Sequence, residues 1–129
     1  MVAHGTIAFD TLTTSDQVKS GTEKSLDTSY LFNGSAKSWC NYTTAATFVN
    51  NGSFNVGSLT DSGAGSCKMN FTNVFNDDDY STTGLQSVGY GQLGLNAQET
   101  TYTWCISYDG SNSAADSGES TMTTHGDLA

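Results

Sequence analysis

Hydrophobic and polar positions alternate with a period of two over several short stretches of this chain, and no stretch sustains a helical period. Residues 66–72 give the clearest case. Cys67, Met69 and Phe71 fall on one side, and Ser66, Lys68, Asn70 and Thr72 on the other, the pattern of a half-buried strand. Just upstream, residues 53–59 place Phe54 and Val56 together on one predicted strand. Between the two, residues 61–65 supply a turn whose Gly63 and Gly65 can take positive φ. Residues 53–72 therefore predict an antiparallel hairpin with one wet face. Residues 37–43 predict another strand, with Trp39 facing away from Cys40 and Tyr42. The last strong strand spans 99–108. Tyr102, Trp104, Ile106 and Tyr108 line one face and Thr101, Thr103, Cys105 and Ser107 the other. The large apolar members Tyr102, Trp104 and Ile106, with Trp39, Phe54, Val56, Met69 and Phe71, form the predicted core and packing set.

The remaining segments are weaker. Residues 46–49 are a short apolar run stopped by Asn50, Asn51 and Gly52. Val74 and Phe75 lead into an acidic turn at residues 76–79, and residues 87–95 are glycine-rich, which reads as a bulged strand or a loop at close backbone approach. Residues 110–129 are rich in Ser, Ala, Asp and Gly, with only Met122 and Leu128 as larger apolar side chains. In residues 1–33, Ile7 and Phe9 alternate near the start, residues 13–29 are polar, and residues 29–32 run into a turn signal at Asn33 and Gly34. So few apolar residues cannot fold alone. The expected division is an extended N-terminal arm over 1–33, serving oligomerisation or attachment, and a β-sandwich head over 34–129. The expected fold class is all-β, an antiparallel sandwich or jelly-roll-like domain, since short strands punctuated by turns favour that architecture.

Composition supports this and narrows the partners. At 129 residues the chain fits one modest core. Thr, Ser, Gly and Asn dominate the polar part and proline is absent. Four lysines face 13 carboxylates, for a net charge of −9. Nucleic-acid binding needs cations that displace counterions from phosphates, and this chain lacks them; anionic membrane surfaces are disfavoured for the same reason. No run approaches the roughly 18 apolar residues of a spanning helix, so membrane insertion is not expected, and no secretory signal is read at the N-terminus. Cys40, Cys67 and Cys105 form an odd set with no CxxC pair, and His4 and His125 sit near the ends. The favoured reading is three reduced thiols packed as small apolar residues; one bridge such as Cys40–Cys67, or a metal site, are the alternatives.

Five short pieces of the sequence resemble the distal β-domain of tail fibres of marine bacteriophages, of the cyanophage and pelagiphage type. Residues 10–13 (DTLT) match a short extended segment, and residues 35–39 (SAKSW) match the pattern SAKAW. Residues 53–65 (SFNVGSLTDSGAG) and 69–72 (MNFT) match the hairpin of that family, and Asp78, Asp79 and Tyr80 its DANY. The clear likeness covers about residues 35–80. Cys40 and Cys67 depart from the family pattern. The resemblance implies a bacteriophage virion structural protein, a tail fibre or tail component with a host-receptor-binding role, assembled in the host cytoplasm as a homotrimer with other tail or capsid proteins and touching a host-surface glycan. A capsid decoration protein and a carbohydrate-binding module are the alternatives.

Candidate chemistry is sparse. Asp77, Asp78 and Asp79 are a weak candidate for Ca²⁺, set against the plainer reading of a solvated acidic turn. Tyr42, Tyr90 and Tyr108 are the candidate receptor contacts, because an aromatic ring with a polar tip suits a recognition surface. Of Glu23, Glu99 and Glu119, only Glu99 neighbours a core strand, and there is no nucleophile elbow, phosphate loop or HExxH. No catalytic residue, no cofactor and no enzymatic activity are expected.

Overall fold

The computed structural model describes residues 11–14, 24–45, 47–87 and 91–129. The chain divides into two compact units, Met1–Ser35 and Ala36–Ala129. In the first, β1 (Thr11–Thr14) pairs antiparallel with β2 (Lys24–Asp27), and α1 (Thr28–Gly34) follows. The turn expected at Asn33 and Gly34 is thus the end of a seven-residue helix, and the expectation of no helix is corrected. Gly34 suits a helix C-terminus, and Ser35 donates from both its backbone N (3.2 Å) and its Oγ (2.8 Å) to the Leu31 carbonyl. Three consecutive apolar residues, Tyr30, Leu31 and Phe32, gave no helical period, and all three are exposed. The alternation at Ile7 and Phe9 lies outside the described residues.

The second unit is a sandwich of two four-stranded antiparallel sheets. Its strands are β3 (Ser38–Thr43), β4 (Val49–Phe54), β5 (Val56–Asp61), β6 (Ser66–Phe71), β7 (Ser81–Gln86), β8 (Gln92–Glu99), β9 (Tyr102–Tyr108) and β10 (Ser120–His125). Sheet I has the order β4-β3-β10-β7 and sheet II the order β5-β6-β9-β8. The chain therefore passes repeatedly from one sheet to the other, and each sheet buries one face against its partner.

The 53–72 region shows how local chemistry sets that path. β5 and β6 form the expected hairpin, with Cys67, Met69 and Phe71 inward and Lys68 and Asn70 outward. The strand predicted across residues 53–59 is broken at Asn55, which takes φ 55°. Asn tolerates this left-handed conformation. Its side chain fixes the corner: Asn55 Nδ2 donates to the Asn73 carbonyl (3.0 Å) and Asn55 Oδ1 accepts from Asn73 N (2.7 Å). Phe54 thereby ends sheet I facing outward, 55% exposed, while Val56 begins sheet II packed against the core. The two do not share a face as expected.

β9 is inverted relative to expectation. Thr103, Cys105 and Ser107 are buried, whereas Tyr102, Trp104 and Ile106 stand half-buried on the outer face. The core is filled from elsewhere: Cys40, Tyr42, Cys67, Met69, Phe71, Phe75, Tyr80, Cys105 and Met122. Phe75 stacks on Tyr80 at 4.3 Å and tilts against Phe71 at 4.8 Å. With these rings in the centre, β9 has room only for small inward side chains. Several buried hydroxyls find partners across the structure, whereas those of Tyr42, Ser107 and Ser120 have none. Ser38 bonds Thr124 between β3 and β10, and Thr82 bonds Thr103 (3.3 Å) between the two sheets. The Tyr80 hydroxyl lies 2.7 Å from the Tyr102 carbonyl and 3.1 Å from that of Glu99, holding the β8–β9 turn.

Residues 110–129 are not a tail. β10 is a central strand of sheet I, and the chain then returns beside Phe75, with Asn76 N donating to Asp127 O (3.0 Å) and Ala129 N to Val74 O (3.1 Å). The three cysteines are free and buried. Burial pushes the Cys40 thiol up to about 11 and those of Cys67 and Cys105 up to about 12, the Cys67 thiol also feeling Cys40, Cys105 and Asp61.

Tyr42 is fully buried beside these thiols, and its hydroxyl, near Ser120, makes no hydrogen bond of good geometry. A buried polar atom without a partner costs about 1–3 kcal/mol. Tyr42→Phe is therefore expected to raise the urea midpoint of unfolding with an unchanged slope, by about 1 kcal/mol in stability; a lowered midpoint would reveal a structural bond at this hydroxyl.

Candidate binding surface

The outer face of sheet I is built by strand alternation. With Ser38, Cys40 and Tyr42 inward, β3 turns Trp39, Asn41 and Thr43 outward. Register places Trp39 opposite Phe54 on β4 and opposite Thr123 on β10; Asn41 lies opposite Gly52 and Thr121. Gly52 leaves a gap beside Trp39, and the six-membered ring of the indole fills it: a Cβ there would lie 3.6 and 3.7 Å from Cζ3 and Cη2. Trp39 is 42% exposed, so the indole is seated against the sheet and open to solvent. A glycine beneath an aromatic ring on a sheet stabilises the ring's position.

A row of amides borders the ring. The register of β3 and β4 shifts between Asn41 and Tyr42, leaving Asn51 as the extra residue of a bulge. Asn51 Nδ2 donates to Asn41 Oδ1 (3.0 Å), and Asn41 Nδ2 donates to Glu119 Oε1 (2.6 Å). The row ends at a shallow hollow of about 240 Å³ lined by Leu85, Gln86, Glu119 and Thr121. Leu85 is 76% exposed and Val49, opposite Thr43, is exposed as well. The outer positions on the four strands of this face carry no lysine and no carboxylate; Glu119 stands at its margin and His125 at the end of β10.

The outer face of sheet II differs because its groups are already engaged. The Lys68 ammonium lies 4.5 Å from the Trp104 ring centre and 4.9 Å from that of Tyr102. Trp104 Nε1 donates to Ser66 Oγ (2.7 Å), and Asn70 Nδ2 donates to Thr60 Oγ1 (2.9 Å) and Ser58 Oγ (3.1 Å). The Tyr108 ring lies over Gly94, where a Cβ would come within 2.9 Å of Cε2.

These two faces redistribute the residues singled out from sequence. Tyr42 is withdrawn as a receptor contact, because the inward alternation of β3 buries it. Tyr108 is half-buried on the outer face of sheet II, and Tyr90 lies outside the described residues. Trp39, Phe54, Tyr102, Trp104 and Ile106, expected in the core, all face outward; Val56, Met69 and Phe71 face inward. Asp77 Oδ1 accepts from Asp79 N (3.1 Å), an ordinary turn bond, and among the described residues no three His, Cys, Asp or Glu side chains converge as a cation site. A polar cleft of about 190 Å³ is lined by Asp61 and Asp116, and each carboxylate already accepts from a backbone amide, Gly63 N (2.9 Å) and Gly65 N (2.7 Å).

The signal that marks Trp39 was available but ambiguous. Alternation alone sets it against Cys40 and Tyr42 without saying which face is inside, and the apolar content of the two faces is similar. Asn41 and Glu119 meet only through the pairing of β3 with β10, which no local pattern announces. Comparison with known proteins found no matching family model, no matching curated protein and no matching solved structure.

Proposed function

We propose that this chain is a bacteriophage virion structural protein, a tail-fibre or tail component whose sandwich touches the host surface and whose work is binding, without catalysis. The observation that carries this reading is the open aromatic face of sheet I, with Trp39 and Phe54 42% and 55% exposed beside the Asn51–Asn41–Glu119 row. The likeness to tail-fibre domains supports it, since the matching pieces fall at β3 and on the β5–β6 hairpin. Three copies in one rigid tip would turn weak contacts into avidity. Residues 1–33 would serve assembly, and the exposed Tyr30, Leu31 and Phe32 on α1 suit that role. The acidic surface keeps such assemblies soluble and away from nucleic acid.

A capsid decoration protein is the second reading. Leu85 and Val49 favour it, because exposed aliphatic side chains on an uncharged sheet suit a protein surface such as a capsomer. The test is competition. Host cells incubated with purified protein should adsorb less phage, and Trp39→Ala should remove that block. Labelled copies should appear on the tail in particle images. Labels on the shell with adsorption unchanged would support decoration and overturn the adhesin reading.

A further inference from the structure

We infer that the outer face of sheet I binds an uncharged saccharide chain, stacked on Trp39 and Phe54 and hydrogen-bonded by Asn51, Asn41 and Glu119. This rests on the host-contact reading above and names the chemistry of its ligand. A pyranose ring presents an apolar C–H face and a rim of hydroxyls. It needs a flat aromatic surface with donors and acceptors beside it.

Sheet I offers both. The indole is seated on Gly52, so its orientation is fixed before a ligand arrives, which lowers the entropy lost on binding. The amide row supplies both kinds of partner. Asn51 Oδ1 accepts, the second hydrogen on each Nδ2 donates, and the Glu119 carboxylate has further lone pairs. Thr121, Thr123 and Thr83 add hydroxyls along the rows that cross β10 to β7. From β4 to β7 the sheet spans about 14 Å, three strand spacings, so the face can hold a chain of several sugar rings.

Charge selects the class. The strand positions of the face hold no lysine, Lys37 just before β3 and Glu119 just before β10 stand at its edges, and the whole chain carries −9. A polyanionic glycan is repelled by the net charge and finds no cation along the strands of the face, where the aromatic rings and the amide row lie. The cation that does sit beside aromatic rings, Lys68, is on the opposite sheet, where it lies against Trp104 and Tyr102. That sheet's engaged rings and amide make it a natural control.

Affinity electrophoresis of the full chain tests the proposal, with dextran, mannan and galactomannan as neutral probes and alginate and heparin as anionic ones. At least one neutral polymer is expected to retard the protein and neither polyanion should. Trp39→Ala should weaken the retardation about tenfold, the loss of one stacked ring. Asn41→Ala keeps the indole and should weaken it about fivefold, while Trp104→Ala should leave it unchanged. Cooperative urea unfolding from a native baseline for Asn41→Ala and Trp104→Ala would show intact folding, with a lower midpoint expected for Trp104→Ala because it loses the Ser66 bond and the Lys68 contact. Retardation by polyanions alone, or retardation untouched by Trp39→Ala and Asn41→Ala, overturns the inference. So does a concentration-dependent oligomer that Trp39→Ala dissolves with no neutral polymer bound, which assigns the face to a second copy. If the protein blocks phage adsorption through Trp39 but no neutral polymer binds, the saccharide class fails and the host-contact reading stands. If a neutral polymer binds through Trp39 but adsorption is unaffected, the reverse holds.

Discussion

Gly65→Ala is expected to destabilise the sandwich by about 2–5 kcal/mol, since among the described glycines it combines a positive φ with backbone contacts under 3 Å. Two independent costs combine at this position. Gly65 takes φ +64°, where an L side chain crowds its own backbone at about 1–2 kcal/mol. It is also wedged between the end of β9 and the loop before β10. An added Cβ would lie 2.5 Å from Ala115 O and 2.6 Å from Ser107 O, backbone atoms that cannot rotate aside. The same residue ties these segments together: Gly65 N donates to Asp116 Oδ1 (2.7 Å), and Ser107 N donates to Gly65 O (2.8 Å). Moving the turn to relieve the clash would break both bonds. Gly118→Ala is the control, because its Cβ would meet only Ser87 Oγ at 3.7 Å and its φ is unremarkable. It should change stability by less than about 0.5 kcal/mol. Urea unfolding of the two variants beside the parent checks the contrast, and equal midpoints for both would show that the 61–65 turn relaxes freely.

The 61–65 turn was legible in the sequence because its demands are local. Two glycines after Asp61 mark a backbone that must reach positive φ, and both reach it. β6 was legible for a similar reason, since Cys67, Met69 and Phe71 alternate with three polar residues and only one face can be the inner one. β9 was misread because both of its faces are credible. Placing large residues inside is a sound bias but a one-way one, as much of any protein surface is apolar. The core volume beneath β9 is taken by Tyr42, Phe75 and Tyr80, so Thr103 and Ser107 fit there and Trp104 does not. That competition for volume is a property of the assembled sheets. β7 and β10 were not anticipated at all. Their inward residues include Thr82, Gly84, Ser120 and Thr124, which carry no hydrophobic signal, and their place is set by hydrogen bonds to neighbours far along the chain. The candidate surface inherits the same difficulty. Trp39, Gly52 and Glu119 are separated by up to 80 residues and become a site only when β4, β3 and β10 align.

Alkaline pH should unfold this protein cooperatively between about pH 10 and pH 12, driven by the buried thiols. Cys40, Cys67 and Cys105 lie in the core with 1%, 0% and 2% of their surface exposed. Burial disfavours the thiolate, raising Cys40 from 9.0 to about 11 and the other two to about 12. Below the unfolded value of 9.0 each thiol is protonated in both states, and its stabilising contribution is complete. Above it the unfolded chain releases protons that the folded chain retains, so stability falls as pH rises, by about 1.4 kcal/mol per pH unit for each thiol. Three thiols acting together remove about 4 kcal/mol per unit, enough to exhaust an ordinary domain stability of about 5–15 kcal/mol within a few units. The Tyr42 phenol, raised mainly by burial and further by the neighbouring thiols, adds to the loss above pH 10. Stability from urea titrations under reducing conditions should therefore be level up to about pH 8.5 and then decline steeply. The variant with Cys67 and Cys105 both replaced by alanine starts less stable but should lose about two thirds of the thiol-driven slope, because the change in slope counts titrating groups and is insensitive to the packing lost. Native protein at pH 8 should also resist thiol reagents until urea opens the sandwich. A level stability up to pH 11, or a slope unchanged in the double variant, would mean that the thiols ionise in the folded state and that the space between the sheets admits water.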